Sequence, residues 1–341
     1  TTGTTLTIEP GVVVKGQAGT GANASALLIA RGATINAMGT PAQPIIFTSV
    51  ADEITSGQLV SPNLDSDVNG LWGGIIVLGN APISAANDAG DIAEVQIEGI
   101  PTSDPNGLYG GNDANDNSGV LNYISIRHGG TNIGEGNEIN GLTLGGVGAG
   151  TLIQGVEVVA NQDDGIEWFG GTVSASEVLV WNCGDDGLDT DQAWNGTCTD
   201  WVVALPAGGS AMELDGPEGS LTQGPNNFVN GTIFCGPAAN IDHIIDWDGS
   251  TNTGISNLYI FGIDEAYDPA SGIESFGGDG TGTTGSWQFT VPAGYDVATL
   301  FADVPAREVS EVAMNANTVG STANLSWTLG GQSGVLASIG L

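Results

Sequence analysis

Val156-Glu157-Val158-Val159, followed by Asn161-Gln162-Asp163-Asp164-Gly165-Ile166-Glu167, decides the reading of this chain. The same pattern returns as Val178-Leu179-Val180-Trp181, then Cys183-Gly184-Asp185-Asp186-Gly187-Leu188-Asp189, at a constant offset of 22 residues. Each copy holds a short apolar strand, an Asp-Asp-Gly turn and a second short strand. Looser copies follow at Trp201-Val202-Val203 with Met212-Glu213-Leu214, at Thr232-Ile233-Phe234 with Ile245-Asp246-Trp247, and at Leu258–Phe261 with Ile273-Glu274. Gly165-Ile166-Glu167-Trp168-Phe169-Gly170-Gly171 returns as Gly272-Ile273-Glu274-Ser275-Phe276-Gly277-Gly278. Upstream, Leu6–Val14 and Leu27–Ile35 form a pair at an offset of 21, with Gly11 falling on Gly32.

Strands of three to five residues, Gly/Asn/Asp turns and a period of roughly 20–30 residues predict a β-solenoid. Helical repeats fit poorly. The chain has 56 glycines, and each would cost about 1 kcal/mol in a helix interior. A β-sandwich needs hairpins rather than in-register copies, and propeller repeats are longer. The expected fold is all-β: a right-handed parallel β-helix over 1–280, with 281–341 as a C-terminal cap or side element. In that last part Trp287–Val291 and Asn324–Leu329 read as strands. Pro305–Met314 reads as a helix opened by its proline.

Composition bounds the role. Asp plus Glu number 39 against 4 Lys plus Arg, for a formal charge of −35. Lys15, Arg31, Arg127 and Arg307 cannot neutralise a run of phosphates, so nucleic acid is excluded as a partner. Anionic membranes would repel the chain, and no apolar run reaches the ~20 residues of a membrane span. The sequence begins Thr1-Thr2-Gly3 without Met, as a processed exported product does, so the expected location is extracellular or at the cell surface. Of Cys183, Cys198 and Cys235, the first two are the preferred disulfide; the competing reading is three buried thiols.

Several segments carry a resemblance. Leu6-Thr7-Ile8-Glu9-Pro10-Gly11-Val12-Val13-Val14, Arg31–Thr40 with Pro44–Ser49, Trp72–Gly79 and Asp116–Leu121 are similar to coils of secreted right-handed β-helix proteins. Together they resemble a family of large exported β-helix proteins from marine, Bacteroidota-like bacteria. That likeness implies the fold and an exported setting, and no particular activity.

Chemistry concentrates on acids. Glu167, Asp189, Glu213, Asp246 and Glu274 hold one place in successive units, and strand alternation turns them outward while Ile166, Leu188, Met212, Ile245 and Ile273 turn inward. Coils stack about 4.8 Å apart, so the acids form a ladder that must bind cations, carry raised pKa values or be solvated. The turns Asp163-Asp164-Gly165 and Asp185-Asp186-Gly187, with Asp189 and Asp191, suit Ca²⁺; so does the Asp113-x-Asn115-x-Asn117 run, though it lacks the glycine and distal glutamate of an EF-hand. No organic cofactor is implied. The competing reading of all these is Asx turns and a solvated acidic face.

An enzymatic alternative starts from the same turns. They distantly resemble the aspartate motifs of polygalacturonase-like β-helix hydrolases, which implies Asp163, Asp185 and Asp186 as a catalytic set acting on a glycoside. Arg127-His128-Gly129 is only a partial echo of that family's substrate motifs, and no Arg-x-Lys exists. Trp181, Trp194, Trp201 and Trp247 are candidates for sugar stacking or for core packing. The favoured expectation is a non-catalytic structural or adhesive protein, self-associating into a filament, sheath or layer and stabilised by calcium. The alternative is a polysaccharide-binding or polysaccharide-hydrolysing β-helix.

Overall fold

A computed structural model describes residues 2–341 apart from 134–138, 205–206, 223, 237–240, 266, 268–271, 273–284 and 296–308. It is a right-handed parallel β-helix. Among the described residues, the strands Leu27–Ile29, Ile75–Leu78, Leu142–Gly145, Ile166–Phe169, Leu188–Asp191, Met212–Leu214 and Ile245–Trp247 stack into one seven-stranded parallel sheet. We call it the acidic sheet. The opposite wall is a longer sheet whose middle strands are Gly119–Arg127, Leu152–Val159, Ala175–Trp181, Thr197–Ala204, Asn226–Phe234 and Thr253–Phe261.

The offset of 22 is the coil repeat: Val156 pairs with Val178 on the long sheet, and Ile166 with Leu188 on the acidic sheet. The offset of 21 near the N-terminus is not. Leu6 pairs with Ile35, and Leu27 pairs with Ile75. Gly11 and Gly32 share a φ of +76°, so the two segments share a local strand–turn–strand form, but Leu27–Ile29 lies on the acidic sheet whereas both strands of the first segment lie on the long sheet.

Each long strand bends in its middle through one residue in the left-handed region. Tyr123, Gly155, Glu177, Asp200, Asn230 and Asn257 fall on one column of the register. Such φ values are unfavourable for most side chains, and Asn tolerates them best. The column is tied along its length: Asn257 Nδ2 donates to Asn230 Oδ1 at 3.1 Å, and Asn230 Nδ2 to Asp200 Oδ1 at 3.1 Å. Glycine matters most where a neighbour leaves no room. A Cβ on Gly231 would sit 2.0 Å from the Trp201 ring.

Between the walls runs one apolar core that includes Ile35, Ile124, Val156, Ile166, Val178, Leu188, Trp201, Met212, Phe228 and Ile245. Burying each of these side chains stabilises the stack by roughly 1.5–3 kcal/mol, and no coil could do so alone. All three cysteines are buried free thiols. The expected Cys183–Cys198 bridge does not form. Cys198 pairs with Ala175 at the start of one strand, whereas Cys183 lies past the end of that same strand. The separation along the sheet is on the order of 20 Å, far beyond disulfide reach.

The ladder of the long sheet continues beyond residue 281. Trp287–Phe289 pairs in parallel with Leu258–Ile260, and Val309–Glu311 pairs with Trp287–Phe289. The expected helix over 305–314 is therefore a strand at 309–311, while 305–308 lie outside the described residues. Asn324–Leu329 is not a strand; a turn there leads into the short helices Leu329–Ser333 and Val335–Ile339. Thr328 caps the first helix by accepting from Gly331 N–H. This tail folds back over the outer face of the long sheet, where Leu329 and Leu336 pack on Leu179, Trp181 and Val202. It is a side element over the middle coils.

Candidate functional site

The register builds the acid ladder. Glu167 pairs with Asp189, Asp189 with Glu213, and Glu213 with Asp246, while Thr143 occupies the place before Glu167. Glu274 lies outside the described residues. Ile166, Leu188, Met212 and Ile245 point into the core as alternation requires, so the acids face out of the coil.

Facing out does not expose them equally. The excursion between Leu78 and Gly119 folds over the first strands of the acidic sheet and buries an apolar cluster, Ile76, Leu78, Ile83, Ile97, Tyr109 and Phe169, against it. Glu167 and Asp189 lie beside this cover and are only 6% and 8% exposed. Glu213 and Asp246, farther along, are partly exposed. The ladder thus runs from a buried end to an open end.

The Asp-Asp-Gly turns stack on the same wall. Asp186 N–H donates to Asp164 Oδ1 at 2.9 Å, and Ser210 N–H donates to Asp186 Oδ1. Gly165 N–H reaches Asp186 O at 2.9 Å and Gly187 N–H reaches Ser210 O at 3.0 Å. Each aspartate ties its turn to the next coil. Asn140 stands at the head of this column, two residues before Leu142 as Asp164 is before Ile166. Its Nδ2 donates to Glu167 Oε2.

Turn column and ladder meet at one place. Asp163, Asp164 and Asp185 offer oxygens that all lie within 4.8 Å of one another, and so do Asp164, Glu167 and Asp189. Asp163, Asp164, Glu167 and Asp185 line a cavity of about 380 Å³ together with Glu98 and Asn140. A second recess of about 370 Å³ continues past Asp186 and Glu213 to Asp242, His243 and Asp246. Among the described residues, no Lys or Arg lines either recess. His243 Nδ1 lies 3.7 Å from Asp246 Oδ2 at the open end.

Burial without counter-charge raises the acids. Asp164, Glu167 and Asp189 sit well above the ordinary carboxylate range, first because burial penalises the charged form and then because each faces the others. Burial, then a hydrogen bond with Asp186, pushes Glu213 up to about 9. Asp191, two residues past Asp189, is pushed up to about 8 by burial and by Glu218. It belongs to a separate acidic edge with Asp215 and Glu218, outside the two close groupings.

The Asp113–Asn117 loop gathers no comparable group among the described residues. Asp113 Oδ1 accepts from Asn115 N–H at 3.0 Å and Asn117 Oδ1 from Gly119 N–H at 2.8 Å. These are Asx turns that satisfy the loop backbone, and Asn115 is exposed. The hydrolase-like set fares unevenly. Asp163, Asp185 and Asp186 line one cavity, and Asp163 and Asp185 bring oxygens within 4.8 Å of each other. Arg127 and His128 are fully buried on the far wall and cannot hold a substrate. Trp181, Trp194, Trp201 and Trp247 are at most 1% exposed, so no ring face is open to a sugar.

Sequence reading missed Asn140 and Glu98. Asn140-Gly141-Leu142-Thr143 is the Asp164-Gly165-Ile166-Glu167 pattern one coil earlier, with neutral residues for acids. Glu98 comes from the excursion, which repeats nothing.

A family model described as a pectate-lyase like beta helix domain matches residues 1–271. No curated protein matches, and no solved structure matches.

Proposed function

The chain belongs to the pectate-lyase-like β-helix family, and from that premise we propose that it is a non-catalytic extracellular protein with a structural or adhesive role. The observation that carries this reading is the character of the groove. Its acids are crowded and partly buried, no Lys or Arg among the described residues lines it, and Trp181, Trp194, Trp201 and Trp247 are buried. A lyase of acidic polysaccharides needs a basic group to take the proton, and a sugar-binding cleft uses open ring faces. The composition and the likeness to large exported β-helix proteins of marine, Bacteroidota-like bacteria support an extracellular setting. No helix among the described residues is long and apolar enough to cross a membrane.

In this role the stacked coils are a stiff rod, and self-association builds a filament, sheath or layer. Sedimentation velocity and negative-stain microscopy of the purified chain test it. Concentration-dependent assemblies are expected. A monomer at every concentration, with or without calcium, overturns it.

One observation favours a second reading, polysaccharide hydrolysis. Glu213, held protonated at neutral pH, stands beside Asp186 at the open end of the groove, as a general acid stands beside its partner. Release of reducing ends from a neutral or acidic polysaccharide, abolished by Glu213→Gln, would establish it. No release from any substrate removes it.

A further inference from the structure

We propose that Asp164, Glu167 and Asp189, with the side-chain oxygen of Asn140, form a buried site for one hard divalent cation, and that calcium is the ion it fits. The inference does not depend on the structural role above.

Spacing is the first support. Three carboxylate oxygens within 4.8 Å of one another match the diameter of a calcium coordination shell, given Ca–O distances of about 2.3–2.6 Å. Magnesium, at about 2.0–2.1 Å with strict octahedral demands, suits this span less well.

The second support is independent of acid density. Asp189 Oδ1 is buried and accepts no hydrogen bond, although the residue is only 8% exposed. Asn140 Oδ1 is likewise buried and unpartnered, in a residue that is 1% exposed and whose Nδ2 donates to Glu167 of the same triad. A buried acceptor with no donor is costly, more so when it is charged, so two around one triad call for a missing partner. Oxygen acceptors without donors are what a cation needs.

The donor set selects the ion class. Every candidate ligand is oxygen. His243 stands at the far end of the second recess, and Cys183 belongs to the core cluster. Zinc and copper, which favour imidazole and thiolate, have nothing to hold here. Asp163 and Asp185, which adjoin Asp164, form the outer rim through which the ion arrives.

The test titrates calcium chloride into the metal-stripped full-length chain at neutral pH, followed by calorimetry and thermal melting. Saturable binding and a raised Tm are expected. Asp189→Asn and Glu167→Gln should each weaken the affinity at least tenfold. Both substitutions remove like-charge crowding, so the metal-free variants should melt no lower than metal-free wild type; this separates loss of a site from loss of the fold. Terbium needs no substitution: bound beside Trp168 it should show tryptophan-sensitised emission that calcium displaces. Absent emission and an unmoved Tm, or unchanged calcium affinity in both variants, overturns the site. Calcium binding by a chain that stays monomeric supports the site and counts against the assembly role alone.

Discussion

Buried acids on opposite walls meet opposite fates. Glu157, on the long sheet, is fully buried and surrounded by donors. Ser125 Oγ donates to it at 2.6 Å, Trp181 Nε1 at 3.2 Å, and Leu329 and Gly330 N–H groups each at 2.9 Å. The Arg127 guanidinium lies 3.9 Å away, fully buried as well. Glu167 and Asp189, on the acidic sheet, have Asn140 Nδ2 and one another. The same outward strand position is thus closed by the protein in one case and left electrostatically open in the other. A buried carboxylate needs donors, a proton or a cation. The long sheet gains two backbone donors from the returning tail, whereas Glu167 has the single side-chain donor of Asn140 and Asp189 Oδ1 accepts none.

The sharpest way to break the comparison is Glu157→Ala. It leaves a buried guanidinium without its acid and frees the two N–H groups that open the helix Leu329–Ser333. Loss of a partner from a buried pair costs about 3–5 kcal/mol. Urea unfolding should show a drop of that size, and limited proteolysis should cut the tail beyond residue 320 faster. Unchanged stability would mean that the donors around Glu157 contribute nothing.

Arg127→Met is expected to cost less, about 1–3 kcal/mol, because Glu157 keeps four closer donors. A loss as large as that of Glu157→Ala would show that the charge pair dominates, against the distances.

How much of this contrast was legible in the sequence follows from its physics. The recurring strand–turn–strand pattern reads as a β-helix and places Glu167, Asp189, Glu213 and Asp246 in a row, because parallel coils repeat whatever lies at one column. Burial was not legible. It depends on the excursion over the acidic sheet and on the tail over the long sheet, and neither repeats. The same cause hid Glu157, which reads in sequence as one more strand residue between valines. The stacked bend of the long sheet was not legible either: beside Gly155 it uses Tyr123, Glu177, Asp200, Asn230 and Asn257, and side-chain hydrogen bonds link the last three.

The acidic sheet predicts a pH dependence of its own. Asp191 and Glu213 have folded pKa values raised to about 8 and about 9, and Asp164, Glu167 and Asp189 are raised as well. Groups raised on folding hold more protons in the folded chain than in the unfolded one. Stability is therefore greatest below the ordinary carboxylate range and falls as pH rises through the folded values. The Tm of the metal-free chain should decline from pH 5 to pH 9, and calcium should flatten the decline. A metal-free Tm that rises over this interval would show that the acids of the groove are already balanced within the chain.

Asp113→Asn gives the smallest effect and sets the baseline. Asp113 is an exposed acid whose side chain closes an Asx turn onto Asn115 N–H, a role that asparagine fills equally well. Its charge faces water, which does for it what donors do for Glu157. Melting should move by no more than about 0.5 kcal/mol in stability, and the pH slope and calcium response should stay as in wild type. If this exposed substitution moved the slope as Asp189→Asn does, the governing variable would be total acidity, and the contrast between the two buried walls would lose its cause.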